Sequence, residues 1–279
     1  ESGQAVPQSA LGAIYRTRRA VVVGDPLQVE PVVTIPKVLI DILADSTCVA
    51  NEYKVIENSA QTFADNINEF NGMIGERQVG CPLVVHRRCI EPMFSISNLI
   101  SYDNRMFNKT NKKEEYLKPE NPFLIKKSGW INVEGVENGG KDHFVKNQAE
   151  RVCQLMEDAV HIYSDLFETD DKIFIITPFR TVAESMRKFI ISYFSAKGYD
   201  KEILSKWTKN CVGTVHTFQG KDANEVLLVL GCSNKSAGAM NWVVKKANIL
   251  NVACTRAKYR IAFIGNINDW KNRRYFREF

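Results

Sequence analysis

The sequence predicts an α/β fold built on a mainly parallel β-sheet that is flanked by helices. Short runs rich in β-branched residues alternate with longer segments whose apolar residues recur at helical spacing. Hydrophobic residues make up 44% of the 279 residues and charged residues 25%, which indicates a packed globular core. No apolar run approaches the ~20 residues of a membrane span, so we expect no membrane partner.

The first predicted strand is Arg19–Gly24, a β-branched run that ends at a Gly-Asp turn. From Ile35 to Gly80 we expect partly helical chain. Four similar β-branched runs follow, and they are predicted as buried strands: 172–177, 211–215, 225–230 and 260–265.

Helices are predicted between these strands. Their buried faces comprise Ala149, Val152, Cys153, Met156, Ala159 and Val160 in one helix, and Val182, Met186, Phe189, Ile190 and Tyr193 in the next. Two polar stretches, 108–121 and 135–141, are predicted as solvated connections. Ligands of such sheets bind beside the carboxyl ends of the strands, so we expect functional residues there.

Charge and cysteine content restrict the function only weakly. The net charge of +5 permits a polyanionic partner without requiring one. None of the seven cysteines has CxxC spacing, so neither a zinc site nor a disulfide framework is expected, and no metal ligands are predicted. Buried cysteines in a reducing compartment are the simpler interpretation, which predicts a cytoplasmic protein, or a nuclear one in a eukaryote.

Two motifs follow predicted strands. In Val23-Gly-Asp-Pro-Leu-Gln28, the Gln28 amide can donate to a phosphate and accept from a water molecule, although an ordinary turn is the alternative. The segment from Thr214 to Asp222 offers hydroxyls, an imidazole and a glycine that lets backbone amides approach an anion. The alternative for His216 is a structural hydrogen bond.

Two further motifs contain arginines. Val84-Val-His-Arg-Arg-Cys-Ile-Glu-Pro92 places two arginines between a strand and a helix, with a solvated basic turn as the alternative. In Leu250-Asn-Val-Ala-Cys-Thr-Arg-Ala-Lys258, we expect Asn251, Thr255 and Lys258 near one helical face, with Arg256 beside them. That arginine is a surface charge unless it neutralises a transferring phosphoryl group.

The ordered combination of these motifs with Ile-Ile-Thr-Pro-Phe-Arg180 resembles the superfamily-1 helicases, in the branch of senataxin and the nonsense-mediated-decay helicase. The resemblance extends from residue 1 to about residue 265. It implies the end of a first RecA-like domain over 1–36 and a connecting helical segment over 37–80. A second RecA-like domain of the P-loop-NTPase type, without its own phosphate-binding loop, would occupy 81–279.

The resemblance also implies roles around ATP and Mg²⁺. Glu1 and Gln4 match the end of an Asp-Glu-x-x-Gln motif, in which Glu1 would orient the attacking water. Gly24, Asp25 and Gln28 would contact the nucleotide, with Gln28 sensing the γ-phosphate. Because the chain opens inside that motif, without an initiator methionine, we expect it to be a piece of a longer protein.

By the same resemblance, Arg88 and Arg256 would be arginine fingers on one shared surface, with Arg87 as the rival of Arg88. Gln219, Gly220 and Asp222 would lie near the ribose and the γ-phosphate. Asp222 stands where the family has a longer Glu, which would weaken that contact.

Single-stranded nucleic acid is the partner that the resemblance implies, with 5′-to-3′ movement along it. Thr177, Pro178, Phe179 and Arg180, together with Thr214 and His216, would line its track. Phe179 would either stack on a base or pack against the following helix. Because these contacts are to the backbone, the choice between DNA and RNA stays open.

The sequence contains no Gly-x-x-x-x-Gly-Lys-Ser/Thr loop. We therefore expect the preceding domain to hold most of the ATP and Mg²⁺, and this segment alone to hydrolyse ATP negligibly. Two alternatives to the motor remain: a nucleic-acid- or protein-binding module on a helicase-like fold, and a helicase fused to a nuclease or other effector.

Overall fold

The computed structural model describes residues 2–278 apart from 55–57, 76, 111–121, 138, 140–141 and 219. The chain divides into two compact units. Unit 1 contains the residues up to Val84 together with Ser101–Arg105, and unit 2 contains Val85–Ile100 together with the residues from Met106 onward. The predicted domain limits at residues 36 and 80 stay a prediction.

In its described residues, unit 1 contains three short helices and one antiparallel pair of strands. The helices are α1 (Pro7–Tyr15), α2 (Lys37–Ser46) and α3 (Ala60–Ile67), with a 3₁₀ turn at Asn51–Tyr53. Strands β1 (Gly72–Ile74) and β2 (Arg77–Val79) pair in antiparallel fashion. A capping box formed by Ser59 and Thr62 starts α3. The prediction of partly helical chain between Ile35 and Gly80 is therefore confirmed.

The prediction of a buried strand at Arg19–Gly24 is wrong for this structure. Within the described residues the segment pairs with no strand, and Val21 and Val23 are 90% and 65% exposed. A β-branched run becomes a strand only where another strand supplies hydrogen bonds, and none of the described strands lies beside it.

Unit 2 is centred on a five-stranded parallel sheet. Its order is β5-β9-β8-β6-β7, where the strands are β5 (Gly129–Asn132), β6 (Ile173–Thr177), β7 (Val212–Thr214), β8 (Ala223–Val229) and β9 (Ala257–Gly265). These labels also count two short strands of unit 2, β3 (Val85–His86) and β4 (Phe107–Asn108), which form a separate parallel pair.

The described helices of unit 2 lie between and after its strands. They are α4 (Met93–Ser101), α5 (Lys146–Ile162), α6 (Arg180–Ser195), α7 (Lys201–Cys211), α8 (Ala237–Val243), α9 (Asn248–Arg256) and α10 (Ile267–Trp270). All five residues of β6 are buried, as expected for a strand covered on both faces. The predicted α/β class, with a parallel sheet flanked by helices, is confirmed.

Several predicted boundaries differ from the structure. Cys211 ends α7 instead of beginning β7, and Lys258 lies on β9 instead of on the face of α9. Glu137 is only 8% exposed, although it falls in a stretch predicted to be solvated. No helix in the described part of the chain is both long and apolar enough to cross a membrane.

A buried carboxylate attaches the segment before β5 to the centre of the sheet. Glu225 on β8 accepts hydrogen bonds from the backbone N–H groups of Leu124 and Ile125 and from the Tyr163 hydroxyl. Burial raises the pKa of Glu225 above its ordinary value. The three donors satisfy a polar group that would otherwise be costly inside the sheet.

Candidate functional site

The candidate residues of unit 2 lie at two different edges of the parallel sheet. Thr177 and Thr214 end the neighbouring strands β6 and β7, where they are paired in register. Asp222 and Arg256 instead precede the first residues of β8 and β9, Ala223 and Ala257, which are also paired. Only part of the candidate set therefore lies at the carboxyl ends of strands, and the roles of these residues stay a prediction.

At the amino ends of β8 and β9, one carboxylate contacts two cations from different segments. Asp222 Oδ1 lies 2.7 Å from Lys258 Nζ, and Asp222 Oδ2 lies 3.4 Å from Arg88 Nε. All three side chains are between 21% and 34% exposed. We call Arg88, Asp222, Arg256 and Lys258 the amino-edge cluster.

Arg256, the last residue of α9, is connected to this cluster through the backbone that precedes Asp222. It is 1% exposed, and its Nη1 donates to the carbonyl oxygens of Phe218 at 3.2 Å and Lys221 at 3.0 Å. Between those two carbonyls lies Gly220, whose φ of +80° suits glycine. Arg256 therefore holds the turn that carries Asp222.

The backbone on the other side of the cluster is also fixed. Ile90 N donates to Lys258 O at 3.1 Å, and His86 Nε2 accepts from Cys89 N at 2.8 Å. Burial lowers the pKa of His86 to about 4, and the charge of Arg88 acts in the same direction. A neutral His86 thus fixes the turn that presents Arg88.

The two rival arginines of this turn differ in their surroundings. Arg87 is exposed, whereas Arg88 is half-buried and contacts Asp222. Of the two, Arg88 is the one that the structure brings to Asp222.

At the carboxyl ends of β6 and β7, the aromatic candidate is covered. Phe179 is 9% exposed, and its ring packs against His143 at 4.8 Å and Trp242 at 5.9 Å between centroids. Arg180 starts α6, where its Nε lies 2.9 Å from Glu184 Oε1. The sequence did not point to Trp242, which is 54% exposed and carries the open aromatic face of this group.

The connection from β7 to β8 joins the two edges. It begins beside Thr214, passes through the 3₁₀ turn Val215–Phe218 with its exposed His216, and reaches Asp222. A Cβ atom on Gly213 would lie 2.6 Å from Thr217 Oγ1, so only glycine allows the chain to bend directly out of β7. Pro178 is buried. Gln219 lies outside the described residues.

Unit 1 contains a separate group of candidate residues around Asp25. The Asp25 carboxylate accepts from Leu27 N at 2.9 Å, Gln28 Nε2 at 2.8 Å and the Tyr102 hydroxyl at 2.5 Å. Asp25 thus orients the Gln28 amide. Nothing in the sequence singled out Tyr102.

Close backbone contact brings the two motifs of unit 1 together. A Cβ atom on Gly24 would lie 2.6 Å from Gly3 N, and one on Gly3 would lie 2.7 Å from Asp25 O. The half-buried Gln4 follows directly. Glu1 lies outside the described residues.

The amino-edge cluster is suited to binding an anion. Two cations, Arg88 and Lys258, contact the single carboxylate of Asp222, and Arg256 holds the turn that carries it. Partly exposed ion pairs contribute little to stability, so a phosphate can replace Asp222 as the partner of Arg88. The planar guanidinium fork matches phosphate oxygens.

Comparison with known proteins gives one matching family model, described as an AAA domain, over residues 69–268. An uncharacterised ATP-dependent helicase of Methanocaldococcus jannaschii is 23% identical over this whole chain and 37% of its own length. Human probable helicase senataxin is 24% identical over 96% of this chain and 9% of its own length.

A shorter match is 33% identical over 136 residues. It is to the Arabidopsis thaliana regulator of nonsense transcripts 1 homolog, and covers 49% of this chain and 10% of that protein. The chain therefore spans between about a tenth and two fifths of the length of these three relatives.

Proposed function

We propose a function from one premise: the chain belongs to the AAA domain family and, within it, to the superfamily-1 helicases of the senataxin and nonsense-mediated-decay branch. We propose that it forms the C-terminal part of an ATP-dependent DNA or RNA helicase that moves 5′ to 3′. In this proposal the first RecA-like domain of the same protein holds ATP and Mg²⁺. Single-stranded nucleic acid is the substrate.

One observation carries the proposal. Arg88, Asp222, Arg256 and Lys258 come from three separate motifs, and they meet around one turn at the amino edge of the sheet. A phosphate-directed role explains why two cations contact one acid whose turn is held by a third cation. We assign Arg88 to the γ-phosphate as an arginine finger. Arg256 would reach the same phosphate after the turn that it holds has moved.

The nucleic-acid role is assigned to the carboxyl ends of β6 and β7. Thr177, Thr214 and His216 would contact the backbone of the strand, and exposed Trp242 is a better stacking surface than covered Phe179. The connection 215–222 gives a physical route between the two ends, because it begins beside Thr214 and ends at Asp222. Release of phosphate from Arg88 would then change the contacts that the ends of β6 and β7 make with the nucleic acid.

Exposed apolar surface in unit 1 supports a further domain as partner. Val21, Val23, Val38 and Ile42 are between 58% and 90% exposed. Such surface marks an interaction site, and the remainder of the first RecA-like domain would cover it.

The test uses the full-length protein with Arg88→Ala. We expect ATP turnover stimulated by single-stranded nucleic acid to fall about a thousandfold, with strand affinity unchanged. Arg88→Lys should recover little of the turnover, because an ammonium cannot reproduce the guanidinium fork. Steady-state phosphate release and fluorescence anisotropy measure the two quantities.

Arg87→Ala is the matched control, since Arg87 is the exposed neighbour. It should retain turnover within a few-fold of the unchanged protein. Loss of turnover with Arg87→Ala but not with Arg88→Ala would transfer the finger role to Arg87. Retention of turnover by both variants would contradict a finger on this turn.

We also expect the 279-residue chain alone to hydrolyse ATP negligibly, since it lacks the lysine and the glycine-rich loop that hold the β- and γ-phosphates. Phosphate release by the purified chain, with and without single-stranded nucleic acid, measures this. Turnover close to that of the full-length protein would contradict it.

A nucleic-acid-binding module without motor activity is the second candidate, and one observation favours it. Arg256 is buried and donates to two backbone carbonyls, which is the behaviour of a structural arginine. A full-length protein that binds single strands but shows no strand-stimulated ATP turnover would establish this alternative over the motor.

A further inference from the structure

Three metal-ligating side chains that are distant in sequence meet among the loops after β5 and β8. They are Glu137, His143 and Cys232, and their ligand atoms all lie within 4.8 Å of one another. None belongs to the amino-edge cluster or to the residues assigned to the nucleic acid.

The dimensions of the group suit a tetrahedral ion. His143 Nδ1 lies 3.2 Å from Glu137 Oε2. Ligands at about 2.0 Å for nitrogen or oxygen and about 2.3 Å for sulfur are separated from one another by roughly 3.3 to 3.6 Å. The nitrogen and the oxygen are therefore already spaced as an ion requires, and the sulfur needs only a small side-chain adjustment.

The backbone fixes two of the three residues relative to each other. Cys232 N donates to His143 O at 2.9 Å. Both residues have positive φ, +57° for Cys232 and +54° for His143, which non-glycine residues rarely adopt. A Cβ atom on Gly231, the residue before Cys232, would lie 2.7 Å from His143 O, so this close approach depends on glycine.

The carboxylate is buried and held by hydrogen bonds. The side chain of Glu137 is 4% exposed, and its Oε1 accepts from Ser233 Oγ at 3.1 Å. Side-chain hydrogen bonds from Ser236 and His143 also hold this carboxylate. Hydrogen bonds of this kind orient the carboxylate ligands of metal sites.

We propose that Glu137, His143 and Cys232 bind one zinc ion, with a water molecule as the fourth ligand. Oxygen, nitrogen and sulfur donors together favour zinc over Mg²⁺ or Ca²⁺, which prefer oxygen alone. As the zinc–sulfur bond forms, the Cys232 S–H bond breaks and its proton passes to solvent. The proton on His143 Nδ1 leaves that nitrogen, and Nε2 takes one up from solvent, so the ring binds zinc as a neutral imidazole. Thiolate and carboxylate then balance the two positive charges of the ion.

A bound ion would fix the loops that follow β5 and β8 to each other. Phe179, in the loop after β6, packs on the His143 ring, so the ion would also restrain that loop. The inference does not rest on the proposed helicase function, because the ligands and their contacts are independent of it.

The experiment titrates the 279-residue chain, freed of metal by a chelator, with Zn²⁺ by calorimetry and with Co²⁺ by absorption spectroscopy. We expect one equivalent of either ion to bind, with a thiolate-to-cobalt charge-transfer band. Cys232→Ser should abolish that band and weaken Zn²⁺ binding about a hundredfold or more, and His143→Asn should weaken it similarly. Cys81→Ser, at an exposed cysteine, is the matched control and should bind like the unchanged chain.

Zn²⁺ should also raise the thermal unfolding midpoint of the unchanged chain and of Cys81→Ser, but not that of Cys232→Ser. Circular dichroism in the presence of chelator shows whether each variant is folded. If Cys232→Ser does not fold, His143→Asn takes its place as the ligand variant. Binding that persists in both ligand variants, binding that is lost in Cys81→Ser, or no binding by the unchanged chain would overturn the proposal.

Discussion

At the scale of single residues, the two arginines of the amino-edge cluster are held with different strength. Arg88 makes one partly exposed ion pair with Asp222, a contact worth about 1 kcal/mol or less. Arg256 donates to two backbone carbonyls in a fully buried setting. Arg88 can therefore change partner at low cost, whereas Arg256 moves only with its turn.

His86 makes the arrangement of Arg88 dependent on pH. Its folded pKa of about 4 lies below the ordinary value of 6.5, so the unfolded chain takes up the proton first as pH falls. The stability that neutral His86 provides is complete above pH 6.5 and is lost as pH falls toward 4. We expect this residue to lower the free energy of unfolding by about 2 kcal/mol between pH 7 and pH 5.

Urea denaturation of His86→Gln at the two pH values measures that contribution. Glutamine can still accept from Cys89 N but does not titrate, so the variant should lose about 2 kcal/mol less than the unchanged chain. His161→Gln is the matched control, because His161 is exposed at the end of α5. Equal losses for His86→Gln and the unchanged chain would show that His86 does not carry this dependence.

At the scale of elements, the sheet was largely predictable from the sequence. Strands β6, β8 and β9 lie at the centre of unit 2, where burial on both faces demands continuous apolar runs. Strand β5 lies at the edge and was not predicted, because its sequence Gly-Trp-Ile-Asn is short and mixed. The error at Arg19–Gly24 has the complementary cause, since a strand needs partners that its own sequence does not reveal.

The site was predictable as a set of motifs but not as a set of contacts. The order of the motifs identified Arg88, Asp222 and Arg256, but neither the burial of Arg256 nor the pairing of Asp222 with Lys258 follows from spacing. Glu137 and Cys232 are separated by 95 positions along the chain (232 − 137), so no local pattern could join them. Contacts of this kind depend on the topology of the sheet.

At the scale of the whole molecule, unit 1 leaves much apolar surface open. None of the residues of α1 is buried, and Val21 and Val23 are 90% and 65% exposed. Large apolar surface of this kind is rare on monomeric proteins unless a partner covers it. The proposed partner is the remainder of the first RecA-like domain, in whose sheet the run 19–24 would become the buried strand that its sequence predicts.

This proposal predicts that one substitution is neutral in the 279-residue chain and destabilising in the full-length protein. Val21→Ser should change the free energy of unfolding of the 279-residue chain by less than about 0.5 kcal/mol, because the side chain is exposed there. In the full-length protein the same change should cost about 2 kcal/mol or more, since a hydroxyl would replace a packed valine. Val136→Ser, at a 57% exposed valine of unit 2, is the control and should be neutral in both. Denaturant unfolding measures the effect of both substitutions in both proteins. A neutral Val21→Ser in the full-length protein would mean that this face stays open to solvent.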